Sequence, residues 1–184
     1  MKRILITGAA GAIGRALRAA YAGKYRLRLS DIAPLGEAGP GEELVRADLA
    51  DLAACEPLMQ GVECVVHLGA VPVEDAWEKI LPANIAGCYN VFEAARRAAV
   101  KRVIFASSNH AIGFHRRERF IDDTVQPRPD TRYGVSAVRG ETHTTVTACG
   151  MCHLGDNPIY PLPAEHPKKY LTDPNVASLL LGAI

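Results

Sequence analysis

The sequence predicts an α/β domain built on a parallel sheet, wound so that helices cover both faces. Three observations lead there. Aliphatic runs of strand length, Ile4-Leu5-Ile6-Thr7, Val62 to Leu68 and Val103-Ile104-Phe105, read as strands buried on both faces. Segments of helical period separate them. The first strand also runs straight into Gly8-Ala9-Ala10-Gly11-Ala12-Ile13-Gly14, followed by Ile13, Leu17 and Tyr21 at helical spacing. Strand, glycine turn and helix in that order mark the opening of a Rossmann-type doubly wound sheet.

The glycines carry the first chemistry. Gly8 permits the tight turn, Gly11 lets a pyrophosphate approach the backbone, and Gly14 lets the helix pack closely. The N–H groups and positive dipole end of the new helix face the phosphates. Tyr25 to Ser30 alternates apolar and basic residues as a second strand that ends at Asp31. Asp31 lies about twenty residues past the turn, where a carboxylate accepts both ribose hydroxyls and repels a 2′-phosphate. That favours NAD over NADP. A solvated turn aspartate ahead of Pro34 is the alternative.

The remaining elements follow in order. Pro34 to Gly41 is a loop by composition, and Glu43 to Ala47 is a short third strand closed by Asp48-Leu49. Asp51 caps the next helix. The fourth strand, Val62 to Leu68, runs into Gly69-Ala70. Residues 74–99 read as helical, with Pro82 marking a kink or restart. Arg102 to Ala106 is the fifth strand, ending at Ser107-Ser108-Asn109-His110, and a further helix capped around Asp130 or Thr131 carries Tyr133. Right-handed crossovers place any ligand at the carboxyl ends of the strands.

Composition sets the class. The chain has 184 residues, 48% hydrophobic and 22% charged, with net charge +1. That length suits one domain with a sizeable core. The charge balance argues against a nucleic-acid partner. No run reaches transmembrane length, and Lys2 and Arg3 precede only a strand-length apolar run, so neither a membrane partner nor a signal peptide is expected. Five scattered cysteines suit reduced thiols and a cytoplasmic location.

A serine hydroxyl and a phenol converging on one crevice are what carbinol oxidation needs: the serine orients the oxygen, and the phenolate takes its proton as hydride leaves for a nicotinamide. Gly8 to Gly14, Asp31, Asp48-Leu49, His67-Leu68-Gly69-Ala70, Asn84, Ser107-Ser108-Asn109-His110 and Tyr133-Gly134-Val135-Ser136 together resemble the extended short-chain dehydrogenase/reductase family. The branch they resemble most is the NAD-dependent hexuronate dehydrogenases. Ser-Ser-Asn-His followed by Ala111-Ile112-Gly113-Phe114, and Arg128-Pro129-Asp130 ahead of the tyrosine, are its hallmarks here. The resemblance covers residues 1–141. It implies Ser108 and Tyr133 as catalytic residues, with Ser108, Asn109 and His110 on a sugar-acid substrate. It implies NAD against Gly8, Ala10, Gly11, Ala12, Ile13, Gly14, Asp31, Ile32, Asp48, Leu49, Leu68, Gly69, Ala70, Asn84 and Tyr133. The implied reaction oxidises C1 of glucuronate or galacturonate to the aldarolactone. In such relatives the tyrosine-bearing helix pairs subunits, which leaves a homo-oligomer open.

Two departures accompany the resemblance. The family pattern is Tyr-x-x-x-Lys, and the lysine position here is Ala137. After Glu141 the sequence ceases to match: Thr142 to Thr147 is poor in helix formers, and Pro158, Pro161, Pro163, Pro167 and Pro174 follow. The expected organisation is therefore a dinucleotide-binding domain over residues 1–148, truncated after the tyrosine helix, with an irregular tail over 149–184, as in a shortened or frameshifted relative. Cys149-Gly150-Met151-Cys152-His153 has the form of a haem-attachment site, and His143, Cys149, Cys152 and His166 that of a loose zinc set. Free thiols are the expected state, with no metal. A nucleotide-sugar epimerase or dehydratase of the same superfamily, or an inactive NAD-binding fragment, are the alternative functions.

Overall fold

The computed structural model describes residues 1–116, 118, 121 and 125–141. Five parallel strands form one sheet: β1 Arg3–Thr7, β2 Arg26–Asp31, β3 Glu42–Arg46, β4 Cys64–His67 and β5 Arg102–Phe105. Their spatial order is β3-β2-β1-β4-β5. The chain winds outward from β1 in one direction and resumes at β4 in the other, so the crossovers part at β1/β4 and leave a crevice there. The helices are α1 Ala12–Tyr21, α2 Leu52–Leu58, α3 Trp77–Ile80, α4 Gly87–Arg97 and α5 Arg132–Glu141.

Strand alternation splits the core into two layers. Leu5 and Val65 face α2 and α4, packing with Cys55, Leu58, Val91 and Ala94. Ile4, Ile6 and Val66 face the other way, with Leu27, Leu29 and the α1 residues Leu17 and Tyr21. Among the described residues β5 pairs only with β4, and Val103, Ile104 and Phe105 are half-buried. The 148/149 boundary and the tail, with Cys149, Cys152, His153 and His166, lie outside the described residues. Cys55, Cys64 and Cys88 are buried thiols, and burial pushes them up to about 11, 11 and 12.

The helix expected over 74–99 begins only at Trp77. From there α3, a π-helical stretch Leu81–Ala86 and α4 run on without a break. Pro82 lacks an N–H and crowds the preceding turn, so the backbone widens to i→i+5 bonding, seen in the Gly87 N–H donating to the Pro82 carbonyl. The bulge swings Asn84 inward, where it is 6% exposed.

Arg28 departs from the alternation read along β2. It is buried rather than solvent-facing. Its guanidinium pairs with Glu43 on β3 and donates to the carbonyls of Leu58 at 2.7 Å and Gln60 at 3.0 Å. Carbonyls at a helix C-terminus lack intrahelical partners and sit at the negative dipole end, so a cation there satisfies α2 from inside the sheet.

At the centre of the sheet, the Thr7 hydroxyl lies 2.7 Å from Nδ1 of His67 and accepts from the N–H groups of Leu68 and Gly69 at 3.2 Å each. A hydroxyl has one proton, which therefore goes to Nδ1 and fixes the imidazole with its own proton on Nε2. Complete burial pushes His67 down to about 4.

Arg28→Ala should lower unfolding free energy by about 1–3 kcal/mol, because the buried Leu58 carbonyl loses its guanidinium donor and Glu43 its ion pair. Denaturant unfolding at the wild-type midpoint would remove Arg28 from the account. His67 predicts a pH dependence. Its unfolded imidazole titrates near 6.5, so on acidification the unfolded state binds the proton first. Stability present above that pH should decline by roughly 3 kcal/mol on approach to pH 4, and His67→Gln should lose this component. Parallel slopes for wild type and variant would contradict it.

Candidate functional site

A cavity of about 1010 Å³ opens at the carboxyl ends of the strands, over the β1/β4 parting. Its floor is the glycine turn. Gly8 has φ +67°, and a Cβ there would lie 2.7 Å from the Gly69 nitrogen and the Leu68 carbonyl carbon. Gly8 is thus required by backbone conformation and by the close pass of the β4 loop. A Cβ on Gly14 would lie 2.5 Å from the Gly8 carbonyl oxygen, so α1 starts pressed onto the turn. No side chain caps α1, and its first turn carries no acid. The N–H groups of Ala12, Ile13 and Gly14 therefore lack intrahelical partners where the positive dipole end faces the cavity.

Asp31 closes one end. Its Oδ2 accepts from the Ala10 N–H and its Oδ1 from the Ala33 N–H, both at 2.9 Å. Each oxygen keeps lone-pair capacity for a ligand hydroxyl. Ala10 lines the cavity, but its N–H is committed to Asp31. Ile32, Asp48 and Leu49 line the same end, and Leu68, Gly69 and Ala70 form the middle wall. The loop behind Asp31 is strapped down from α1: Arg18 forks onto Glu42 and donates to the Leu35 carbonyl at 2.8 Å and the Glu37 carbonyl at 2.5 Å. A groove with open helix amides at its centre and a carboxylate at one end fits a dinucleotide.

At the opposite end stand Ser107, His110 and Tyr133. Ser107 lines the cavity, whereas the neighbouring Ser108 hydroxyl accepts the His110 N–H at 3.3 Å and starts the short 3₁₀ turn Asn109–Ile112. Asn109 lies in that turn, and neither Ser108 nor Asn109 is among the lining residues. Asn84 sits behind the wall: Oδ1 accepts from Val71 N–H at 2.7 Å, and Nδ2 donates to the Val71 carbonyl and the Ser136 hydroxyl at 3.0 Å each. Ser136 in turn donates to the Tyr133 carbonyl at 2.7 Å, so Asn84 ties the π bulge to α5 rather than facing the cavity.

Tyr133 is set by its helix start. Thr131 is the cap, its hydroxyl accepting the Gly134 N–H at 2.9 Å. Glu74, expected in a helix, reaches across from the β4–α3 loop: it accepts the Tyr133 N–H at 2.9 Å and pairs with Arg132 at 2.7 Å. The Tyr133 N–H and then Arg132 hold its carboxyl below the usual carboxylate range. Glu74 and Asp130, which binds His110, were not legible as site residues, because their partners lie 59 and 20 positions away. Ala137 lies one turn beyond Tyr133, buried on α5. Among the described residues no three metal-ligating side chains converge, and no helix is long and apolar enough to cross a membrane.

Comparisons with known proteins bear on this site. Residues 4–149 match the model of the NAD dependent epimerase/dehydratase family. Over 141 residues the chain is 51% identical to a uronate dehydrogenase of Pseudomonas putida, covering 76% of this chain and 53% of that protein. The crystal structure of uronate dehydrogenase from Agrobacterium tumefaciens superposes with a TM-score of 0.75 at 48% identity, over 77% of this chain and 54% of that one. A mutant of that enzyme complexed with NAD also gives 0.75, at 47% identity with the same coverage. The chain spans about half the length of these relatives.

Proposed function

The chain belongs to the NAD dependent epimerase/dehydratase family, and from that premise we propose that it binds NAD and oxidises C1 of a hexuronic acid, glucuronate or galacturonate, to the aldarolactone. The observation that carries the proposal is one cavity joining the glycine turn and Asp31 to His110 and Tyr133. Its likeness to uronate dehydrogenases at about half identity supports the substrate class.

In this reading the open amides of α1 hold the pyrophosphate and the Asp31 carboxylate holds the adenosine ribose. Leu68, Gly69 and Ala70, which line the cavity with Ser107, would hold the middle of the dinucleotide. Bound NAD supplies the hydride acceptor. His110, which lines the cavity, orients the substrate oxygen, and Ser108, whose hydroxyl accepts the His110 N–H, holds the turn that carries Asn109 and His110 in place. Tyr133 receives the hydroxyl proton as the C1–H bond breaks. The substrates are soluble sugar acids, which agrees with a cytoplasmic location.

Ala137 bears on the rate. An ammonium at that position would face Tyr133 across one helical turn. A phenol ordinarily titrates near 10 and is a poor base at neutral pH. A unit charge about 4 Å away is worth roughly 1–4 kcal/mol between bulk-water and near-surface conditions, or on the order of ten- to a thousandfold in phenolate. This same absence favours a second reading, in which the chain binds NAD without turnover.

Calorimetry should find tighter binding of NAD than of NADP, with Asp31→Ala narrowing the gap at least tenfold because the ribose acceptor and the repulsion of the 2′-phosphate are both lost. Equal affinities in wild type would defeat the assignment of Asp31. Ala137→Lys should raise turnover of glucuronate or galacturonate by about tenfold or more and extend activity to lower pH. Oxidation of neither acid by wild type or variant, with NAD still bound, would leave the binding-only reading; activity with nucleotide sugars instead would select the epimerase or dehydratase alternative.

A further inference from the structure

His110 is built into the site more tightly than a substrate contact requires. Its Nδ1 lies 2.8 Å from Oδ1 of Asp130, and that carboxylate also accepts from the Thr131 hydroxyl at 3.2 Å. A short backbone ladder holds the two segments together: Phe114 donates to the Arg128 carbonyl, Arg128 to that of Ala111, and Asp130 to that of His110. Two glycines permit the approach. A Cβ on Gly113 would collide with the Asp130 carboxylate, and one on Gly134 with the His110 carbonyl. The His110 ring then meets the Tyr133 ring edge to face, centroids 5.7 Å apart, and both line the cavity.

We propose that His110, oriented by Asp130, is the terminal proton acceptor of this site, standing in for the missing lysine at Ala137, and that Tyr133 relays the proton as a neutral phenol. The proposal rests on the oxidation described above. A carboxylate on Nδ1–H leaves the lone pair of the neutral ring on Nε2. As the C1–H electron pair leaves as hydride for the oxidised nicotinamide dinucleotide, the C1–O bond becomes a carbonyl. The C1 hydroxyl proton passes to the Tyr133 oxygen while the Tyr133 proton passes to Nε2, and the imidazolium later releases one proton to solvent. Asp130 compensates the charge that forms, as a carboxylate does behind a catalytic histidine. The charged groups facing His110 are Asp130 from the segment before α5 and Glu74 from the β4–α3 loop, itself paired with Arg132; from α5 it faces Tyr133. An imidazole is a better-matched base at neutral pH than a phenol.

Histidine NMR of the full-length apo protein tests the dyad without turnover. The His110 signal, identified by its loss in His110→Gln, should show the Nδ1–H tautomer, and Asp130→Ala should abolish that tautomer preference. Turnover adds a second readout. His110→Gln should lower kcat roughly a hundredfold and change KM far less. The dyad is overturned by an Nε2–H tautomer, by a tautomer indifferent to Asp130→Ala, or by a His110→Gln effect confined to KM. If no sugar acid is oxidised, the oxidation reading fails by itself, and the tautomer and its response to Asp130→Ala still decide the dyad.

Discussion

The Thr7 hydroxyl, held between His67 and two backbone amides, is the interaction on which the site depends. It joins the carboxyl ends of β1 and β4 at the point where the two halves of the sheet part. The glycine turn follows on one side and Leu68-Gly69-Ala70 on the other. Because Gly8 has no Cβ, the two loops come within contact distance and form a continuous floor. A neutral, fully buried imidazole can serve there because its one acceptor is matched by the one available proton.

A second constraint fixes the opposite end of the cavity. The start of α5 leaves backbone donors open, and they are met by a hydroxyl from its own cap and by a carboxylate from a loop on another element. Glu74 thereby couples the wall beyond β4 to the position of Tyr133, and Asn84 does the same from the π bulge through Ser136. The chemistry at this end is thus supported by side chains that do not all face the cavity.

These roles separate residues that a motif places together. Ser107 and Ser108 are adjacent in sequence, yet one lines the cavity and the other starts a turn. Asn84 and Ala10 belong to the expected cofactor set, yet the amide of the first and the N–H of the second are committed within the protein. A motif records which residue types recur near a ligand. It does not separate those that touch the ligand from those that hold the wall in place.

What the sequence determined by itself was local. The five strands, the turn at Gly8, the acid at the end of β2, the cap at Asp51 and the helix carrying Tyr133 were all legible, because hydrophobic period, glycine freedom and capping chemistry act within a few residues. Their boundaries agreed to within one or two residues apart from the start of the 74–99 helix. Tertiary structure decided the rest. It turned Arg28 inward to meet a helix end, released Glu74 from its expected helix to cap α5, and set His110 on Asp130 through two glycines. Each of these is a polar group satisfied by a partner 20 or more positions away. A buried donor or acceptor must be paired, but local sequence does not encode which distant partner the packed chain brings to it.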